Sequence, residues 1–309
     1  MKKFLVSAAS AALMFQSVAT FAQEAASPVD TPATVVATGS EAPAGPALWK
    51  LSDEDTTIYL FGTIHALPRE VKWFGGSIEE AIDSSGSLVT EIPGDSINDP
   101  ASQQMIAGKA MLPTGETLRS LLDEDQRVSY ETAMAKLGIP VEAFDMFEPW
   151  FAGMTLAMLP LMKAGYDMES GVEKVVEREA PETARREALE TIGFQIDMLD
   201  TLPVKSQVEF LMSSASNIDE VSAMMDKMVA EWMEGDADGL AALLNEGLTD
   251  PVLAEALLYK RNANWAEWID DRMDDPGTVF IAVGAGHLAG EKSVQNFLTE
   301  RGFTIERVQ

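Results

Sequence analysis

The hydrophobic pattern at the start of the globular region predicts two strands, a helix and a third strand. Residues 47–51 and 56–61 are β-prone runs on either side of a short acidic turn, which is typical of a hairpin. Residues 77–83 are expected to form a helix with Ser77 at its N-cap, because two glutamates fall in the first turn. The apolar run 87–92 predicts the next strand. This order, with short links, indicates an α/β sheet.

The pattern changes to a mainly helical one from about residue 99 to residue 274. Helices are predicted over 141–163, 207–212, 221–233, 240–244 and 252–273, with interruptions of the first near Pro149 and Pro160. A short β-like run, 186–192, separates the first of these from the rest. Methionines recur at four-residue steps at Met154, Met158 and Met162. That spacing is typical of core packing, and a binding groove is the alternative.

The C-terminal residues return to an alternation of strand and helix. Residues 278–283 form a continuous apolar run that predicts a buried strand, 288–301 a helix that ends at Gly302, and 303–308 a final strand. The fold class expected is therefore α/β, with a mixed sheet built from the N- and C-terminal parts. The middle of the chain is expected to be a large helical insertion, over about 99–274.

The first residues have the layout of a secretory signal peptide. Lys2 and Lys3 precede an uncharged apolar stretch and a small-residue cleavage signal, which predicts removal of residues 1–22 and a periplasmic or secreted protein without a transmembrane anchor. Residues 23–46 are rich in Ala, Pro, Thr and Ser and are interpreted as a flexible linker. Residues 47–309 remain as a single domain. The chain has no cysteine, which excludes disulfides and cysteine catalysis.

The charge of the chain is strongly negative. The formal net charge of −28 becomes −30 when the two lysines of the signal are removed. Such a surface repels nucleic acid and anionic lipid, so nucleic-acid binding is not expected. An acidic surface suited to a salty medium explains the charge as well as any functional role.

The two histidines of the chain occur in matching contexts. Gly62 stands three residues before His65, Gly284 stands three residues before His287, and each glycine directly follows an apolar run. In open α/β sheets, ligands bind beyond the carboxyl ends of the strands, where glycine lets the backbone turn sharply or approach a ligand. Both imidazoles are therefore expected at one edge of the sheet, where they suit acid–base chemistry or metal binding. A hydrogen-bonded structural role is the alternative for each.

Three charged residues are candidates for the same site. Glu91 ends the strand that follows the first histidine, so it could orient an imidazole, bind a metal ion or act as a general base. Glu190 follows the short β-like run and could reach the same edge, or it could be an ion-pair residue. Arg261 could bind a carboxylate or stabilise charge in a transition state. A solvated surface position is the alternative for Glu91 and Arg261.

Two motifs resemble the TraB/GumN family, relatives of the Tiki proteases that inactivate Wnt. Residues 59–68 (YLFGTIHALP) resemble its opening signature, and residues 283–290 (VGAGHLAG), which include Gly286, resemble its closing signature. Intermediate features also fit: Glu91, Leu189-Glu190-Thr191 with Gln195, and Arg261 with Asn262. The resemblance spans about residues 47–308 and is greatest to the exported bacterial GumN-like branch. Glu173 stands where many members have an aspartate, which keeps the carboxylate.

The resemblance implies a ChaN/Tiki-like fold and a site at the two GxxH motifs and Glu91. Its Tiki branch implies divalent-metal-dependent peptidases, while distant relatives include metal-independent esterases and a haem-binding lipoprotein. The leading hypothesis is an exported, metal-assisted hydrolase of peptides or other small envelope substrates. His65, Glu91 and His287 would bind Mn, Co or Zn and activate water. Gly62, Gly284, Gly286, Glu190, Arg261 and Asn262 are the binding candidates.

Two alternatives stay open. A metal-independent esterase-like hydrolase would use a histidine as general base, with Glu91 orienting it. A non-catalytic envelope protein would bind metal, haem or polysaccharide. Catalysis by a serine triad is not expected, because no GxSxG sequence occurs, and the full dinucleotide-binding fingerprint is not met.

Overall fold

The computed structural model describes residues 45–94, 96–248 and 250–309. The predicted signal peptide, and the predicted linker up to residue 44, lie outside these ranges. The described chain has the mixed α/β fold that the hydrophobic pattern predicts. Within the described ranges, no helix has the length and apolar character needed to cross a membrane.

A six-stranded sheet, in the order β6-β4-β7-β2-β1-β8, forms the centre of the described chain. Its strands are β1 (Leu48–Ser52), β2 (Thr56–Thr63), β4 (Ser87–Thr90), β6 (Arg185–Ala188), β7 (Gly277–Gly284) and β8 (Glu306–Arg307). The four strands β6, β4, β7 and β2 run parallel, whereas β1 is antiparallel to both of its neighbours. A small separate ladder pairs β3 (Leu67–Pro68) with β5 (Tyr166–Asp167).

The hairpin predicted at the start of the domain is confirmed, and the last strand differs from the prediction. β1 and β2 pair antiparallel, with Leu48 opposite Phe61 at one end and Ser52 opposite Thr57 at the other. β8 is shorter than the predicted run 303–308 and lies at the far edge of the sheet, beside β1. It cannot pair with β7, because β2 and β4 already bond to both edges of that strand. The run 186–192 contributes β6, so the insertion also supplies one strand to the central sheet.

Helices cover both faces of the sheet. Those before residue 200 are α1 (Gly76–Asp83), α2 (Pro100–Lys109), α3 (Glu124–Leu137), α4 (Pro149–Lys163), α5 (Val172–Glu179) and α6 (Ile192–Asp200). Those that follow are α7 (Val204–Ser216), α8 (Val221–Glu234), α9 (Ala237–Gly247), α10 (Pro251–Ala254), α11 (Lys260–Arg272) and α12 (Val294–Glu300). Single 3₁₀ turns form at Leu118–Leu121, Met168–Ser170 and Ala285–Leu288.

Two predicted helix starts are corrected. The helix predicted from residue 141 begins only at Pro149, since proline is favoured at the first helical position, where its missing N–H costs nothing. Pro160 lies inside α4 near its end, where the helix continues to Lys163. Helix α1 has Gly75, not Ser77, at its N-cap, and Gly75 adopts a φ of 146° that favours glycine.

The central strands alternate their side chains between two apolar layers. Leu60 and Ile281 pack on the face covered by α11 and α12. Phe61 and Phe280 point to the opposite face, which the helices of the insertion cover. Because strand residues alternate between faces, this burial on both sides explains the continuous apolar runs of β2 and β7. The arrangement leaves the carboxyl ends of the parallel strands beneath the insertion.

The helix predicted over 252–273 contains a π turn. Residues Glu255–Tyr259 form this turn between α10 and α11. Single π turns inside helices occur frequently at functional sites, because they shift the register of the side chains that follow. Here the turn directly precedes Arg261 and Asn262 on α11.

Candidate functional site

The parallel strands bring the predicted site residues to one edge of the sheet. Thr63 pairs with Gly284, and Thr90 pairs with both Ala282 and Ala188, so the carboxyl ends of β2, β7, β4 and β6 lie side by side. His65, His287, Glu91 and Glu190 follow these four strand ends within three residues. The strand register therefore sets their order across the edge.

His65 forms a close pair with Glu173. Its Nδ1 lies 2.5 Å from Oε1 of Glu173, at the start of α5. Thr63 donates a hydrogen bond of 2.5 Å to the same carboxylate oxygen. Burial lowers the pKa of His65, but the charge and hydrogen bond of Glu173 outweigh that effect and raise it above its ordinary value. The same contact lowers the pKa of Glu173 against the opposing effect of burial.

The backbone at Gly171 makes this pair geometrically feasible. A Cβ atom at Gly171 would lie 2.2 Å from the carbonyl oxygen of His65, which is far inside van der Waals contact. Val172 also donates a backbone hydrogen bond to Ile64, at 2.9 Å. Glycine therefore permits the close approach that carries Glu173 to the imidazole.

Glu91 is a buried carboxylate that accepts three N–H groups. Its Oε1 accepts from the backbone of Gly284 at 2.7 Å. Its Oε2 accepts from Arg261 at 2.6 Å and from Gln195 at 3.0 Å. Burial alone would raise the pKa of Glu91, but the guanidinium of Arg261 and these hydrogen bonds hold it well below its usual range. Glu91 is therefore ionised at neutral pH.

Arg261 connects the acidic and the imidazole groups of the site. Its Nη2 bonds Glu91 and, at 2.8 Å, Glu190, while its Nε donates to Glu190 at 2.9 Å. Its Nη1 donates to the carbonyl of Leu257 at 3.0 Å and lies 3.1 Å from Nε2 of His287. These contacts account for all five N–H groups of the guanidinium. Arg261 therefore has no N–H group left for a ligand and holds Glu91, Glu190 and His287 in position.

Asn262 fixes the tautomer of His287. The Nδ2 of Asn262 donates to the carbonyl of Lys292 at 2.7 Å, so its Oδ1 faces Nδ1 of His287, 2.5 Å away. His287 accordingly carries its proton on Nδ1, and its Nε2 accepts from Arg261. Burial and the charge of Arg261 lower the pKa of His287 to about 3. The imidazole stays neutral across the physiological range.

Trp265 completes the packing around these groups. Its ring centroid lies 4.3 Å from that of His287, and the guanidinium of Arg261 lies 4.7 Å from the same indole. The indole Nε1 donates to Glu190 at 2.9 Å. An arginine held against an aromatic face and by two carboxylates is rigid, which preorganises the site.

A cavity of about 60 Å³ opens beside this cluster. His65, Glu91, Gln195, Arg261 and His287 line its polar end. The remaining wall is mainly methionine and leucine side chains from the helical insertion. The two histidines therefore share one pocket, with polar groups from the sheet edge at one end and apolar side chains at the other.

The binding candidates fall into two groups. Gly284 and Gly286 line the cavity together with Arg261. Gly62 lies elsewhere: a Cβ there would meet Cα of Ala285 at 3.0 Å, and its carbonyl accepts from Trp232 at 2.8 Å. Glu190 and Asn262 do not line the cavity and instead hold Arg261 and His287 in place.

The predicted divalent metal ion does not fit the residues as they are arranged. Nε2 of His287 faces Arg261, and three N–H groups occupy all but about one of the lone-pair sites of Glu91. A metal ion bound to both residues would have to displace a permanent cation. Over residues 45–94, 96–248 and 250–309, no group of three His, Asp or Glu side chains is arranged to hold a metal.

Sequence reasoning missed the role of Glu173 and of most of the apolar wall. Glu173 stood out only as a departure from the family pattern, and no local pattern links it to His65, 108 positions earlier in the chain. Gln195 was a family feature without an assigned role. The four-residue spacing of Met154 and Met158 predicts that they share one helix face, and that face lines the cavity. Met162, the next methionine at this spacing, is exposed.

The fold and the site define an α/β protein with two GxxH motifs at the carboxyl edge of its sheet. The family model described as the TraB/PrgY/gumN family matches residues 47–307. The chain belongs to that family.

Two relatives of similar length illustrate the similarity. An uncharacterized protein of Treponema pallidum (strain Nichols) is 22% identical over 270 residues, which cover 82% of this chain and 80% of the relative. The uncharacterized protein YbaP of Escherichia coli (strain K12) is 23% identical over 242 residues, which cover 78% and 87%. No solved structure matches the chain significantly.

Proposed function

We propose that this protein is a hydrolase in which His65, held by Glu173, activates a water molecule for attack on a carbonyl substrate. The observation that carries the proposal is the contact of 2.5 Å between Nδ1 of His65 and Glu173, at the polar end of the cavity. A carboxylate on Nδ1 fixes the tautomer and leaves the lone pair on Nε2, as general-base catalysis requires.

The protons balance in two steps. Nε2 of His65 takes a proton as the water oxygen bonds to the carbonyl carbon. The tetrahedral intermediate then collapses as the leaving group departs with that proton, which gives a carboxylic acid and an alcohol or amine. The carboxylate of Glu173 raises the pKa of His65 above its ordinary value, which makes the imidazole a stronger base than a free one.

The other side of the site holds its groups in place for this chemistry. His287 is neutral, and Arg261 keeps a permanent positive charge that Glu91 and Glu190 share. The two carboxylates balance this cation, so its part is to hold the cluster together. Because its N–H groups are all engaged, Arg261 fixes Glu91 and His287 without moving.

The arrangement favours the metal-independent form of the predicted hydrolase. His65 has an orienting carboxylate of its own, so it needs no ion to position it. The predicted divalent ion at His65, Glu91 and His287 stays a prediction, as do binding of haem or polysaccharide, the peptidase activity and the exported location. An ester is the expected substrate, because its carbonyl carbon is more electrophilic than that of an amide, where the nitrogen lone pair is delocalised into the carbonyl, and its attack by water needs less help from a metal ion.

The test compares wild-type protein with His65→Gln on p-nitrophenyl esters and on a peptide library. The substitution removes the base and keeps the size of the side chain roughly constant. Loss of general-base catalysis is expected to lower kcat by about 10²–10⁴-fold. Met162→Gln, a substitution at a 43%-exposed methionine, is the matched control and should retain full kcat. Equal kcat for His65→Gln and wild type would overturn the proposal.

A further inference from the structure

The cavity beside His65 is polar at one end and apolar over the rest of its wall. The proposed reaction needs only the polar end. Its charged and imidazole groups lie at the end formed by the strand ends. The rest of the wall comes from helices of the insertion and is apolar. A ligand that fills such a cavity has one polar reactive group and an apolar tail.

The apolar wall is rich in methionine. Five of the 17 methionines of the chain line this one cavity: Met154, Met158, Met198, Met225 and Met228. They come from α4, α6 and α8, with spacings of three or four residues within α4 and α8 that place them on one helix face. The methionine side chain is unbranched and flexible, so a wall of this type adapts to a flexible apolar chain.

The π turn adds two more apolar groups. Leu257 and Leu258 are consecutive residues of this turn and both line the cavity. The carbonyl of Leu257 also accepts from Arg261, so the same turn contacts the polar end and forms part of the apolar wall. The turn thereby connects the site of the proposed reaction to the surface that would hold a tail.

The size of the cavity limits the shape of the tail. Its volume of about 60 Å³ is well below the roughly 150 Å³ of an engineered apolar cavity that binds benzene. A ring, a branched side chain on a peptide backbone or a sugar polymer would not enter without rearrangement. On the same scale it holds about two or three carbons of a straight chain, because the larger cavity holds the six carbons of benzene.

We propose that the cavity binds a short unbranched acyl chain, so that the substrate is an ester of a short straight-chain carboxylic acid. The carbonyl lies beside His65, and the hydrocarbon tail runs along the methionines of α4 and α8. This assignment rests on the proposed hydrolase function. The experiments below test binding of the acyl chain separately from hydrolysis.

The experiment measures kcat/KM on p-nitrophenyl esters of increasing acyl length. Each methylene that enters the apolar cavity is expected to raise kcat/KM by about fourfold, until the chain exceeds the length of the cavity. Esters of the same carbon number with a branch next to the carbonyl should react far more slowly. A flat dependence on chain length, or a preference for the branched esters, would overturn the acyl assignment while leaving the hydrolase.

Matched substitutions locate the tail. Met158→Gln places a polar group of similar size in the cavity and should reduce the gain per methylene, whereas Met162→Gln, four residues further along α4 and exposed, should not. Met198→Gln is the second cavity variant, because Met198 is only half-buried and its substitution disturbs the core less. An unchanged gain per methylene in both cavity variants would contradict the proposal.

A binding measurement tests the acyl site even if the protein hydrolyses no ester. Titration calorimetry with 1-propanol, which has no bond to hydrolyse and fits the volume of the cavity, should show one saturable site in wild type that is weakened about tenfold in Met158→Gln and unchanged in Met162→Gln. Such binding without hydrolysis of any ester would refute the hydrolase and support the acyl site. No saturable binding would refute the acyl site.

Discussion

Nη2 of Arg261 lies 2.6 Å from Oε2 of Glu91, and both side chains are buried. The guanidinium bonds Glu190 at the same time, which makes one cation shared by two carboxylates. Taking such charges out of water is favourable only when each one is paired. The relationship explains why a charged cluster can lie beneath the helical insertion, and it makes the cluster sensitive to the loss of any member.

Replacing Arg261 by Met should strongly destabilise the fold. The substitution leaves Glu91 and Glu190 buried without their shared cation, which typically costs about 3–5 kcal/mol. Urea denaturation followed by circular dichroism would measure the change in the free energy of unfolding. The control is Arg178→Met, at an exposed ion pair with Glu179, which should be close to wild type. Similar stability of the two variants would show that the network contributes little.

Glu173→Gln should shift the pH dependence of hydrolysis. The free base form of His65 is the active one, so kcat rises with pH through the pKa of His65, which Glu173 raises. Removing that charge lowers the pKa, and the acidic limb of the profile should move to lower pH as the maximal kcat falls. Glu179→Gln, at the exposed end of the same helix, should leave the profile in place. A limb that does not move would exclude His65 as the group that titrates.

His287 should make stability depend on pH between about 6.5 and 3. Its pKa is about 3 in the folded protein and 6.5 in the unfolded chain, so the unfolded state binds the proton first on acidification. The stabilisation is complete above pH 6.5 and is lost as pH falls toward 3, with a slope of at most about 1.4 kcal/mol per pH unit. His287→Gln should flatten this slope in urea titrations at several pH values. An unchanged slope would assign the effect to other groups.

Gly171 and Gly108 provide a matched pair of glycine substitutions. Gly171→Ala would place a Cβ 2.2 Å from the carbonyl oxygen of His65, so the loop before α5 must shift and carry Glu173 away from the imidazole. Both thermal stability and kcat should fall. Gly108 lies within α2 with nothing within 4 Å of a Cβ, so Gly108→Ala should stabilise the protein by about 0.5–1 kcal/mol. Retained kcat in Gly171→Ala would contradict the positioning of Glu173 by this contact.

The position of the site at the sheet edge follows from local sequence patterns. The apolar runs before Gly62, Gly284 and Glu91 predict parallel strands, and the carboxyl ends of parallel strands meet at one edge. That reasoning places His65, His287 and Glu91 together without any knowledge of the insertion. It also predicts that Glu190 follows a strand at the same edge, and β6 confirms this.

The contacts made by the insertion could not be predicted in the same way. The contact between Glu173 and His65 depends on a backbone approach at Gly171 that no periodic pattern records. The spacing of Met154 and Met158 is the same for a helix packed in a core and for one that lines a cavity. Only the way the other helices of the insertion pack around α4 decides between them. For Gly62 the local pattern suggests more than the structure supports. Its place three residues before His65 predicts ligand binding, but the group that it packs against is Ala285.

The most direct test of the central claim is the rate of ester hydrolysis by metal-depleted wild-type protein, measured against His65→Gln. Prolonged chelation, with elemental analysis to verify removal of divalent ions, should leave kcat unchanged, because Glu173 rather than a metal ion holds His65 and because Arg261 already engages His287 and Glu91. The same kcat should disappear in His65→Gln. Loss of activity on chelation, with recovery on addition of Mn²⁺, Co²⁺ or Zn²⁺, would contradict the account and support the metal-assisted hydrolase.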